Sequence, residues 1–216
     1  VNKSTTVRKL MEWGVLGIIR VQDAEGLLRI TKALQDGGLD CVEITMTTPG
    51  ALRAIEAASE KLTGVLMGAG TVLDAATARQ AILAGSEFLV TPTVELDVIE
   101  MAHRYGKVVI PGAMSPTEIL TAWEAGADMV KVFPASVLGP GYLKAVRGPL
   151  PQIPLVPTGG ITADNAGEFI HAGAAMVCAG GWLVDKKAVA TGHYEVLTER
   201  ARQLVETVQK AKKEMS

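Results

Sequence analysis

Two residues place charge inside apolar runs of this sequence. Lys131 sits in "ADMVKVFPAS" (127–136), and Glu43 in "DCVEIT" (40–45). An ammonium or carboxylate taken out of water without a partner costs several kcal/mol, roughly, so each residue needs a reason to be there. One reason is structural: the two could satisfy each other as an ion pair. The other is chemical. Apolar neighbours disfavour a lysine ammonium and leave neutral amine to attack a carbonyl carbon, giving an imine. The protonated imine withdraws electrons from the adjoining carbon–carbon bond. A glutamate nearby would move the protons such a reaction requires.

Either role depends on elements that bring residues 43 and 131 together. Eight short β-rich runs are spread along the chain, at 15–20, 40–45, 64–70, 87–92, 107–112, 128–133, 153–158 and 175–180. Amphipathic helical stretches such as "DAEGLLRITKALQDG" and "LDAATARQAILAG" separate them. "SPTE" (115–118) has the pattern of a capping box with Pro at the first turn. "TTP" (47–49) and "ITADN" (161–165) are expected to cap further helices. No G-x-G-x-x-G follows the first strand, which argues against an open dinucleotide-binding sheet. Eight unbroken units predict an α/β fold, a single-domain (β/α)8 TIM barrel over residues 1–216, with a short N-terminal helix and a C-terminal helix.

A finer repeat sets the register. "DGGLDCVEI", "LAGSEFLVT", "EAGADMVKV" and "HAGAAMVCA" align on Gly38, Gly85, Gly126 and Gly173, spaced by 47, 41 and 47 residues. Each glycine ends a helix ahead of an even-numbered strand. Five residues further on stand Glu43, Val90, Lys131 and Cys178. Alternate strands of such a barrel fill its interior in layers of four, so these residues form one layer, with Glu43 and Lys131 on opposite strands reaching across the axis. Period-two alternation turns Val130 and Val132 towards the helices and keeps Met129 and Phe133 inside.

The strand ends would surround this pair with Arg20, Thr45, Thr71, Pro92 and Phe133 at the C-terminal mouth. Arg20 either clamps an anionic substrate or forms a rim ion pair. Thr71 either hydrogen-bonds a carboxylate or caps the next helix. Phe133 and Pro92 wall the site. The turns "PTGGITADN", with Thr158, Gly159 and Gly160, and "CAGGW", with Gly180 and Gly181, expose backbone N–H groups where barrels often hold phosphate.

Composition narrows the function further. The 216 residues carry 21 Lys+Arg against 23 Asp+Glu, and aromatics make up only 4%, which excludes a basic nucleic-acid surface. Two cysteines, Cys41 and Cys178, suit core packing in a reducing cytoplasm rather than a disulfide framework. His103, His171 and His193 are scattered, so neither metal nor cofactor is expected. No apolar run reaches membrane-spanning length, and "VNKSTTVRKLMEW" lacks a signal-peptide pattern. Trp13, Trp123 and Trp182 are expected as packing anchors.

"VEIT", "GAGTVL", "VTP", "IPG" with "SPTE", "VKVFPAS", "GP" (148–149) and "PTGGI" occur in that order. From about residue 8 to about 205 the chain resembles the 2-keto-3-deoxy-6-phosphogluconate (KDPG) / 4-hydroxy-2-oxoglutarate (KHG) aldolases. The resemblance implies a class I aldolase that cleaves KDPG to pyruvate and glyceraldehyde 3-phosphate, and KHG to pyruvate and glyoxylate. It also implies a cytoplasmic, metal-free homotrimer in Entner–Doudoroff carbohydrate metabolism. Lys131 matches the family's Schiff-base lysine and Glu43 its general acid/base. Thr71 falls where pyruvate's carboxylate is held, Arg20 on a substrate-binding arginine, and Gly160, Gly180 and Gly181 on the phosphate loops. Two positions depart from the pattern: Thr47 stands where some relatives have arginine, and Gly181 where many have a phosphate-binding serine. The 6-phosphogalactonate epimer therefore stays open as substrate. Outside the family, the rival readings are a phosphate-binding isomerase or epimerase and a non-catalytic assembly scaffold.

Overall fold

A computed structural model describes residues 2–21 and 26–215 of the chain. Its strands are β1 (Val15–Ile19), β2 (Cys41–Thr45), β3 (Leu66–Gly70), β4 (Phe88–Val90), β5 (Val108–Ile110), β6 (Gly112–Ala113), β7 (Val130–Val132), β8 (Leu155–Pro157) and β9 (Val177–Ala179). Pairing is parallel throughout, in the order β5-β4-β3-β2-β1-β9 and β6-β7-β8. β5 and β6 are two halves of the fifth barrel strand, separated by Pro111, which has no N–H to give to a ladder. A bridge between Thr158 and Cys178 joins β8 to β9 and closes the ring. All eight expected strands are therefore present, seven of them shorter than their apolar runs and the fifth, interrupted at Pro111, running on to Ala113.

Hydrophobic side chains divide according to the pleat. One buried cluster fills the ring: Leu16, Cys41, Leu66, Phe88, Val90, Val108, Ile110, Met129, Val156, Met176 and Cys178. The residues between them, Val130 and Val132 included, pack outward against the helices in a second, larger cluster. The first helix, α1 (Lys3–Trp13), adds Leu10 to the inner cluster and so plugs the end of the barrel where the strands begin. The opposite end is left for the site.

Nine further helices follow among the described residues: α2 (Leu27–Asp36), α3 (Ala51–Lys61), α4 (Ala75–Leu83), α5 (Leu96–Arg104), α6 (Pro116–Glu124), α7 (Ala135–Arg147), α8 (Ala163–His171), α9 (Lys186–Thr191) and α10 (Glu195–Met215). Gly38, Gly85, Gly126 and Gly173 each lie just past a helix end with φ between +86° and +108°, the left-handed turn that the glycine repeat requires. Ser115 caps α6 by accepting from the Glu118 N–H at 3.3 Å, while Glu118 accepts from the Ser115 N–H at 2.8 Å. Thr162 is the N-cap of α8, and its N–H donates to Asn165 Oδ1 at 2.9 Å.

The expected cap at "TTP" is not formed. Gly50, with φ +75°, occupies the N-cap of α3, and Thr45, Thr47 and Thr48 share a hydroxyl cluster before it. The stretch expected to begin the second helix at Asp23 falls partly outside the described residues; α2 itself starts at Leu27.

Candidate active site

The interior layer derived from the glycine repeat is present. Glu43 is 1% exposed, Val90 1%, Lys131 6% and Cys178 1%. Glu43 pairs in register with Ile18 and Gly68, and Lys131 with Gly112 and Val156. Neighbouring β3 makes space for the long side chains, because its inward positions after Leu66 are Gly68 and Gly70. A Cβ at Gly70 would lie 2.3 Å from Glu43 Oε1, and one at Gly68 would lie 2.2 Å from the Phe88 ring. The Glu43 carboxylate therefore lies directly over the Gly70 backbone. The "G-A-G" spacing was the sequence signal for this, and reading "GAGTV" for Thr71 alone missed it.

Glu43 and Lys131 do not make the cross-axis ion pair that two buried charges would be expected to form. No salt bridge within 4.0 Å joins them, and Glu43 Oε2 is buried without a hydrogen-bond partner in the protein. They still sense each other. Burial raises the Glu43 pKa above its ordinary 4.5, while the charges of Lys131 and then Arg20 pull it down. Cys178 lies close to both: burial and the Glu43 charge push its thiol up to about 12, against the opposing pull of Lys131. Burial likewise raises the Cys41 thiol, so neither cysteine is a thiolate at neutral pH. Lys131 Nζ sits 5.1 Å from the centroid of the Phe133 ring, a cation–π arrangement. A purely structural pair would close; this one faces a cavity.

That cavity, about 670 Å³, opens at the C-terminal ends of the strands, within the size range of small-molecule sites. Of the residues expected around the site, Arg20, Glu43, Thr71, Pro92, Lys131, Phe133, Thr158, Gly159, Gly160, Gly180 and Gly181 line it. Arg20 Nη2 donates to Thr71 Oγ1 at 3.2 Å, placing a cation and a hydroxyl side by side at the mouth. Thr71 has φ +55°, uncommon for a β-branched residue, and Thr71 does not cap α4, whose N-cap is Asp74. Gly159 and Gly160 carry φ of +96° and +72°, which turn the chain tightly before α8. Gly181 has open space where a side chain would stand.

Other parts of the mouth differ from expectation. Thr45 is fully buried and bonds Thr47 and Thr48 instead of lining the cavity. Phe133 is 39% exposed, forming a rim rather than an interior wall. Ile18, Ile161, Thr162, Val184 and Lys186, which carried no signal in the sequence as site residues, complete the lining together with Trp182, expected only as a packing anchor. Trp182 is held from behind by Arg200, whose guanidinium lies 5.5 Å from the ring centroid and donates to the Trp182 carbonyl. Among the described residues no helix is long and apolar enough to cross a membrane, and no three His, Cys, Asp or Glu side chains gather to share a metal ion.

Comparison with known proteins agrees with this geometry. The chain is 35% identical over 195 residues to a 2-dehydro-3-deoxy-phosphogluconate aldolase of Treponema pallidum (strain Nichols), covering 90% of this chain and 93% of that one. It is 36% identical over 179 residues to the 2-dehydro-3-deoxy-6-phosphogalactonate aldolase of Escherichia coli (strain K12), covering 80% and 85%. Among solved structures it superposes, with a TM-score of 0.83 and 30% identity over 88% of this chain and 93% of the other, on KDPG aldolase from Legionella pneumophila, in which pyruvate was captured at low pH as a covalent carbinolamine. A family model described as KDPG and KHG aldolase matches residues 7–200. With that match running almost the length of the barrel, the chain belongs to the KDPG and KHG aldolase family and is a carbon–carbon lyase.

Proposed function

We propose that the chain is a class I aldolase that cleaves KDPG to pyruvate and glyceraldehyde 3-phosphate through an imine on Lys131, with Glu43 as general acid/base. The observation that carries this reading is the pair itself: a buried lysine and a buried, partnerless carboxylate oxygen in one substrate-sized cavity. A phosphate-binding isomerase gives Lys131 no covalent work, and a scaffold does not need the open space between the two charges.

The steps follow from the placement. The neutral Lys131 amine adds to the C2 carbonyl, and loss of water leaves a protonated imine. Glu43 takes the C4 hydroxyl proton; the C3–C4 electrons move into the imine, releasing the aldehyde and an enamine. Glu43 returns its proton to the enamine carbon, and water then hydrolyses the imine to free pyruvate and Lys131. Arg20 and Thr71 together offer a charge-assisted site for the C1 carboxylate. The Gly159–Gly160 and Gly180–Gly181 turns offer backbone donors to the far end of the substrate.

Glu43 depends on Gly70 for its position. Gly70→Ala is therefore expected to push the carboxylate aside and lower kcat by about 10–100-fold while pyruvate still forms its adduct, since a displacement of about 1 Å costs on that order. Full activity in Gly70→Ala would contradict the placement of Glu43.

A second substrate reading rests on the likeness to the aldolase named for the 6-phosphogalactonate epimer. Thr47 does not decide between the epimers, since it lines neighbouring cavities and not the one holding Lys131. Pyruvate release from KDPG, the galactonate epimer and KHG, measured side by side, tests both. The higher kcat/KM among the first two names the substrate; no pyruvate from any of the three contradicts the aldolase reading.

We further read the chain as one domain acting in the cytoplasm, in Entner–Doudoroff sugar-acid catabolism, as a homotrimer. Leu73, Leu96, Met114 and Val137 support the trimer: each is an exposed large apolar side chain in the loop after a strand or in the first turn of the helix that follows, at the same end of the barrel. Sedimentation equilibrium is expected to give three times the 22.7 kDa chain mass.

A further inference from the structure

The cavity around Lys131 contains four charged side chains among its described lining residues: Arg20, Glu43, Lys131 and Lys186. Three have work in the proposed reaction, and Lys186 does not. It is the first residue of α9, exposed, and forms no ion pair among the described residues. Asp185 beside it does not neutralise it. That carboxylate accepts from the Ala188 N–H at 2.8 Å and from Arg200 Nη1 at 3.2 Å. These bonds fix the backbone on which Lys186 stands and leave its ammonium free to reach the cavity.

The substrate class carries two anionic groups, at opposite ends. Arg20, already hydrogen-bonded to Thr71, can take the C1 carboxylate. For the far end, the Gly180–Gly181 turn supplies only backbone donors, with open space in front of Gly181. Lys186 follows that turn closely in sequence and lines the same cavity. With Arg20 and Val184 it also lines an adjoining cavity of about 860 Å³, so it stands between the two.

We propose that Lys186 determines specificity here by binding the terminal phosphate of the 2-oxo acid, supplying the charge that the glycine turn lacks. The assignment rests on the aldolase reading. A charge-assisted bond from a flexible ammonium at an exposed site acts mainly on substrate binding, and so on KM.

The test uses Lys186→Met, Lys186→Arg and Lys187→Met, with pyruvate release measured from the phosphorylated 2-oxo acid that the parent cleaves and from its dephosphorylated counterpart. Lys187 is the internal control, exposed next door but absent from the cavity lining. Lys186→Met is expected to raise KM for the phosphorylated substrate about tenfold with kcat within about twofold, and to leave the dephosphorylated one unchanged. Lys186→Arg should restore most of the binding, and Lys187→Met should match the parent. Inorganic phosphate should inhibit the parent competitively and Lys186→Met about tenfold more weakly. An unchanged KM in Lys186→Met, an equal rise for both substrates, or the same rise in Lys187→Met would overturn the assignment while leaving the aldolase standing. Failure of the parent chain to form a pyruvate adduct at Lys131 would overturn both.

Discussion

Lys131→Met is expected to lose aldol cleavage by at least about 10⁴-fold, because Lys131 is the lysine buried in the interior layer with Glu43, whereas Lys186, the other lysine among the described lining residues, stands exposed at the mouth on α9. The substitution keeps an unbranched side chain of similar length beside the Phe133 ring, so the barrel should still fold. It also removes the positive charge that lowers the Glu43 pKa, leaving burial less opposed, so Glu43 should take up its proton at higher pH than in the parent. Circular dichroism separates lost chemistry from lost structure. A folded Lys131→Met protein that cleaves substrate within about tenfold of the parent would rule out an imine at this position.

Glu43→Gln separates imine formation from proton transfer. Glutamine fits over Gly70 but cannot act as a base, so cleavage is expected to slow by about 10²–10⁴-fold while pyruvate still adds to Lys131. Exchange of the pyruvate methyl protons with deuterated water, followed by NMR, should slow in parallel. The pH dependence gives a second readout. Glu43 accepts a proton only when ionised, and its pKa is raised, so the parent's activity should fall with decreasing pH along a limb lying above 4.5. Stability moves the other way. The folded protein holds this proton more tightly than the unfolded chain, so the contribution is present below 4.5 and is lost as pH rises through the raised value. Relative to the parent, Glu43→Gln should therefore gain stability as the pH increases across that window. Loss of pyruvate addition together with cleavage would contradict the division of roles.

The barrel and much of its site could be read from the sequence because both follow from local rules. Gly38, Gly85, Gly126 and Gly173 take left-handed φ at helix ends, and that repeat fixes which strand residues face inward. Period two then carries Glu43 and Lys131 to the interior without further information. What could not be read were distances and the contributions of small residues. Alternation says that two charges share an interior, but not that the space between them exceeds a salt bridge. Nor does a propensity rule mark Gly70 as the surface under a carboxylate. Gly50 displaced the threonines at 47–48 from the α3 cap because a left-handed residue closes that turn, and a polar "TTP" does not reveal it. Lys186 was passed over because a lysine on an exposed helix is usually solvated; only the third dimension brings it to the mouth.

In the proposed mechanism Lys131 adds covalently to the carbonyl of pyruvate. This addition is tested most directly by incubating the full chain with pyruvate, reducing with borohydride and mapping the modified peptide by mass spectrometry. One reduced pyruvyl adduct is expected, on the peptide containing "VKVFPAS", at Lys131. An unmodified Lys131 in folded protein with pyruvate in excess, or an adduct on a different lysine, would contradict it.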